Sequence, residues 1–161
     1  MSEAASAQEA ARAAALRLLA RREHTRRELS DKLRRRGHDA AAVEQALGEL
    51  SDEGLLDEAR FAEAFVRSRI ERGQGPVRIA EEMRRRGVGG EAIDAALEAA
   101  EVDWIALARR VREHRFGAAP PEQRRELARQ SRFLQQRGFT AEQVRRAAAA
   151  TEEDDERGPY A

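Results

Sequence analysis

The chain has 161 residues, with 30 basic and 30 acidic side chains and no cysteine, which excludes a disulfide framework and a thiolate metal site. Hydrophobic residues are 41% of the chain but aromatics only 4%, a balance that favours Leu/Ala-rich helices over a β-sandwich. No apolar run approaches the roughly 18–20 residues of a membrane span, and the opening MSEAASAQEAARAAALRLLARR lacks the pattern of a secretion signal, so a cytoplasmic protein with no membrane association is expected.

In chain order, residues 1–8 are expected to be disordered, and the first predicted helix runs near Ala10–Arg22 with Leu16 and Leu19 inward. TRRE at Thr25–Glu28 has the spacing of a capping box and opens a helix carrying Leu29 and Leu33. Gly37 stands where a left-handed residue would stop that helix, and Asp39 is placed to cap the next one, with Val43 and Leu47 inward. The link GLLDEARFAE is short and partly apolar, which predicts that the flanking segments form a rigid pair.

The pattern then recurs. A helix near Glu58–Arg72 carries Phe61, Phe65 and Ile70; GQGP (Gly73–Pro76) breaks the chain; a second helix carries Ile79 and Met83 up to Gly87; a third carries Ile93 and Leu97. A helix near Asp103–Arg115 has Trp104, Leu107, Ala108 and Val111 in one stripe. GAAPPEQ (Gly117–Gln123) breaks it and is the expected bending point; Leu134 then precedes Gly138, and Thr140 caps a last helix with Val144. Gly37, Gly87 and Gly138 are 50 and 51 residues apart, with apolar residues at matching offsets except for Gln130. A period of that length is typical of helical repeats. The predicted fold is all-α: three tandem three-helix, helix-turn-helix-like repeats over residues 9–54, 55–100 and 101–150, in an elongated, curved arrangement.

Charge is uneven along the chain. Residues 101–150 hold eleven basic and six acidic side chains, and residues 151–161 (TEEDDERGPYA) hold one and five. The last segment, non-periodic and acidic, is expected to be a disordered tail, acting either as a solubilising end or as a screen over the basic third repeat.

The arginines before the glycines have two readings. Arg34, Arg35 and Arg36 in the first repeat and Arg84, Arg85 and Arg86 in the second face the negative end of a helix dipole, which accounts for them as local structure. The same turns could also meet phosphate or a partner surface. The third repeat adds Arg124, Arg125, Arg129, Arg132 and Arg137, and a final helix with Arg145 and Arg146, so weak, salt-sensitive binding to single- or double-stranded DNA is open. Sequence-specific reading is disfavoured, because the third helices of the first two repeats offer no Arg or Lys to a guanine edge. His24, His38 and His114 lack metal-ligand spacing and read as capping or surface residues; Lys32 has no phosphate-binding loop around it. No catalytic residue, cofactor or metal is expected.

ALRLLARREHTRREL, KLRRRG, and above all LSDEGLLDEARFAEAFVRSRIERGQGPVRIAEEMRRRGV, followed by Asp103–Trp104 and RFLQQRGF, resemble the RecX family of recombination regulators over about Ala14 to Ala149. The resemblance implies three tandem three-helix modules. It also implies a non-enzymatic regulator that binds RecA and RecA–ssDNA filaments and lowers RecA ATPase, co-protease and strand-exchange activities. A stand-alone DNA-binding or architectural protein and a helical scaffold are the alternatives. A monomer is expected, since no long apolar stripe is left over.

Overall fold

The computed structural model describes residues 2–149, and all regular structure among them is helical. Nine helices follow one another over these residues: α1 (Glu3–Leu19), α2 (Arg26–Arg35), α3 (Ala40–Asp52), α4 (Glu58–Glu71), α5 (Pro76–Arg85), α6 (Gly90–Ala99), α7 (Trp104–Phe116), α8 (Arg124–Gln136) and α9 (Ala141–Ala148). They form three successive three-helix sets, as the repeat predicts. The expectation for residues 151–161 lies outside the described residues.

Helix starts follow capping chemistry. The side chains of Ser2, Thr25, Asp39, Asp103 and Thr140 each accept a backbone N–H of the first turn, satisfying donors that the helix itself cannot. Thr140 and Gln143 complete a reciprocal capping box. Thr25 supplies its half by accepting from the Glu28 N–H at 3.1 Å, but the Glu28 carboxylate turns to Arg22 and Arg86 instead. The expected disorder of residues 1–8 is corrected over 3–8, where α1 begins at Glu3. The Ser2 cap and an alanine-rich first half support the helix there, although its apolar stripe starts later.

The repeated glycines end α2, α5 and α8 in the same way. Gly37, Gly87 and Gly138 have φ of 91, 91 and 97°. In each case the N–H after the glycine reaches the carbonyl five residues back: His38 to Leu33, Val88 to Met83 and Phe139 to Leu134. The glycine N–H itself binds the carbonyl of Arg34, Arg84 or Gln135. This is the Schellman arrangement, which needs a left-handed residue and suits glycine.

The chain divides into two compact units, Met1–Arg67 with Glu82–Ala100, and Ser68–Glu81 with Glu101–Ala161. The division does not follow the repeat boundaries, since the second three-helix set contributes to both. In the first unit, Ala11, Ala15, Leu18, Leu29, Leu33, Val43, Leu47 and Leu50 form one buried cluster with Leu56 from the apolar link. Arg60 secures the end of that link, donating to Glu23 and to the carbonyls of Gly54 and Leu55. In the second unit, Leu107, Ala108, Leu134, Phe139, Val144 and Ala147 form the cluster, with Ile70, Trp104, Val111 and Phe133 against it.

Candidate partner-binding surface

The glycine turns of the second and third repeats serve as docking elements. In the first unit, the Thr25 hydroxyl donates to the Arg86 carbonyl, and Gly87 sits so close to Arg27 that a Cβ there would lie 2.8 Å from the Arg27 side chain. In the second unit, the N–H groups of Gly75 and Val77 donate to the carbonyls of Arg137 and Gly138 at 2.8 and 2.9 Å. A Cβ on Gly75 or on Gly138 would overlap the facing backbone. The turn closing the middle helix of one repeat therefore seats on the start of the middle helix of the repeat before it. At the first repeat's turn, by contrast, a Cβ on Gly37 would meet nothing within 4 Å.

This sorts the candidate arginines. Arg34, Arg35, Arg36, Arg84 and Arg85 are exposed. Arg86 is half-buried, 5.0 Å above the Phe65 ring and 3.6 Å from Glu28, which makes it part of the packing. Arg137 is likewise half-buried, donating to the Arg72 carbonyl and lying 5.9 Å from the Phe133 ring. Arg124, Arg125, Arg129 and Arg132 are all exposed, and their spacing puts them on one side of α8. Arg129 also pairs with Glu126 at 3.2 Å. Arg145 and Arg146 are exposed on α9, with Arg146 paired to Glu142.

Beside the α8 arginines, Phe116 and Phe133 meet edge to face at 5.3 Å. Arg115 and Arg129 lie 5.4 and 5.2 Å from the Phe116 ring, a range in which a cation is attracted to a ring face. Next to this pair is a groove of about 680 Å³. Its floor includes Ile70, Val111 and Phe133, and Arg72, Arg110, Arg115 and Arg137 stand round it. A second groove of about 700 Å³, beside Pro120, Leu127 and Val144, is more apolar.

Three residues do more than the sequence indicates. Arg112 is 2% exposed; it donates to the carbonyls of Ala147, Ala119 and Ala118 and reaches Gln130. The GAAPP segment, expected to be a bending point, thus has two carbonyls held by one guanidinium. Gln130 is buried because it is Arg112's partner, and its amide donates to Glu126, which holds that carboxyl below its usual range. His24 is also buried, not a surface residue: its Nδ1–H donates to the Arg22 carbonyl and its Nε2 accepts from Lys32, both at 3.0 Å. Burial lowers the pKa of both groups. Among the described residues there is no cluster able to hold a metal and no helix long and apolar enough to cross a membrane.

Family models match the three repeats in order: RecX first three-helix domain over 11–50, second over 57–97 and third over 101–148. The chain belongs to the RecX family. It is 70% identical to the regulatory protein RecX of Halorhodospira halophila, covering 99% of both chains, and 47% identical to that of Pseudomonas entomophila over 85% of this chain and 88% of the other. Among solved structures, RecX from Lactobacillus salivarius shares the fold at TM-score 0.78 and 21% identity, over 94% of this chain and 98% of that one. Another RecX regulatory protein gives TM-score 0.76 at 26% identity, over 88% and 72%. The three RecX domains of this chain thus carry the glycine turns and the arginine faces described above, and its relatives are named as regulatory proteins.

Proposed function

We propose that the chain is a non-enzymatic regulator that binds RecA and the RecA–ssDNA filament and lowers its ATPase, co-protease and strand-exchange activities. The observation that carries this reading is the ordered match of three RecX domains along the chain. The surface chemistry supports it. Exposed arginines at the ends of α2 and α5 and along α8 give each repeat its own cationic contact, and several modest contacts on one chain multiply in affinity when they meet a repeating partner. The first repeat's Arg34–Arg36 turn, where a Cβ on Gly37 would meet nothing within 4 Å, is a contact of the same kind as those used within the chain.

Co-sedimentation tests the reading. The protein should pellet with RecA–ssDNA filaments and stay in solution with either RecA or ssDNA alone at the same concentrations and physiological salt. Equal retention by naked DNA would favour a stand-alone DNA-binding protein. That second reading is supported by the exposed Arg145 and Arg146 on α9, the helix that follows the third turn as a recognition helix would.

A further inference from the structure

We propose that the arginine-lined groove of the second unit is the seat of the chain's own acidic tail, which competes there with anionic partners. An acidic run at a chain end can act as no more than a solubilising segment; the groove supplies a specific place for it. Such a seat is a property of this chain alone and holds whatever partner the chain regulates.

Charge complementarity is the first argument. Among the described residues, Arg72, Arg110, Arg115 and Arg137 lie within ion-pair distance of no carboxylate. The buried Nε of Arg137 also has no hydrogen-bond partner. Four cations around one depression, with only Glu71 opposing them among its lining residues, raise a positive potential that a concave, low-dielectric wall focuses. Glu152, Glu153, Asp154, Asp155 and Glu156 form the longest acidic run in the chain.

Reach is the second. Arg109 donates to the Arg146 carbonyl at 2.9 Å and Arg112 to the Ala147 carbonyl at 3.1 Å, so the last turn of α9 lies against α7. The groove is on another side of that same α7, where Arg110, Val111 and His114 face it. Residues 150–161 span up to about 40 Å when extended, against a helix diameter of about 10–12 Å. The tail's aromatic residue, Tyr160, is matched by the apolar floor at Val111 and Phe133.

When seated, the acidic run crosses the arginine rim and lowers the positive potential that a polyanion would meet. A polyanionic partner must displace it, so the tail raises the threshold for weak, non-specific anion binding while leaving a multivalent partner able to win.

The chain has no cysteine, so Ala161→Cys gives one attachment point for a nitroxide on the 161-residue chain. At low salt the spin label should broaden the amide signals of Arg110, Val111 and His114. The broadening should vanish in high salt, where the Debye length falls to a few ångströms, and in the variant E152Q/E153Q/D154N/D155N/E156Q. Any of four results overturns the proposal: no broadening in the groove; broadening centred on Leu127 and Val144 instead; broadening that survives neutralisation of the tail; or broadening seen only between labelled and unlabelled chains in a mixture.

Discussion

The Gly75 N–H donates to the carbonyl of Arg137 at 2.8 Å, and the Thr25 hydroxyl makes the equivalent bond to the carbonyl of Arg86. Thr25 and Gly75 stand the same twelve residues before their own repeat's anchor glycine, and Arg86 and Arg137 each stand one residue before the next. One rule therefore serves twice: a glycine-ended helix offers its last carbonyl to the start of the preceding repeat's middle helix. In the third repeat α8 is longer than α2 and α5 by about one turn.

That rule ranks the anchor glycines. Gly37→Ala meets open space and costs only the left-handed backbone, about 1–2 kcal/mol. Gly138→Ala adds overlap with the Arg78 backbone and should cost about 3 kcal/mol or more, since packed backbone has no room to yield. Urea midpoints for the two variants check the order; equal destabilisation would mean that the docked turn contributes nothing.

How much of this is legible in the sequence differs by residue. The anchors, the caps at Thr25, Asp39 and Thr140, and the inward leucines are readable because glycine, capping side chains and 3.6-residue spacing act locally. Arg86 is not separable from Arg84 and Arg85, since adjacent arginines look alike until one of them turns onto Phe65, and Arg137 gives no sign of its bond to the distant Arg72 carbonyl. Gln130 announces itself by breaking the apolar pattern, but its reason, Arg112, lies a loop away. His24 reads as a surface residue in sequence because its burial depends on Lys32 coming round by about two helical turns.

Arg112 offers the next test. Arg112→Met keeps the aliphatic bulk but leaves the carbonyls of Ala118, Ala119 and Ala147 without their donor. Losing charge-assisted bonds in a buried site should cost roughly 3 kcal/mol, whereas Arg132→Met, on an exposed position, should change stability by less than about 0.5 kcal/mol. Chemical denaturation gives both numbers. Amide hydrogen exchange should quicken at 117–119 for the first variant alone.

His24 makes the first unit sensitive to mild acid. Its folded pKa is lowered by burial, so between that pKa and the unfolded value near 6.5 the unfolded chain binds more protons. Stability is then full above about pH 6.5 and falls as pH drops through the folded pKa. Protonation of Nε2 also sets two cations, His24 and Lys32, against each other. A thermal melt series from pH 8 to 5 should show this decline, and His24→Gln, which keeps an acceptor for Lys32, should flatten that component of it.

The exposed face of α8 should matter to binding and not to folding. Arg124→Glu, Arg125→Glu and Arg129→Glu together should leave the melting temperature nearly unchanged, because these side chains are exposed. They should weaken filament binding and reduce its salt dependence, with a slope change of about one for each phosphate no longer neutralised. Unchanged affinity and slope would remove this face from the interface.

The most direct test of a filament regulator is RecA's ssDNA-dependent ATPase, titrated with this protein at concentrations well below that of RecA. If repeated modules act on an assembled filament, activity should fall while the protein is still sub-stoichiometric, and the triple α8 substitution should shift the titration to higher concentration. Unchanged ATPase at saturating protein, with binding to the filament confirmed in the same mixture, would contradict the account.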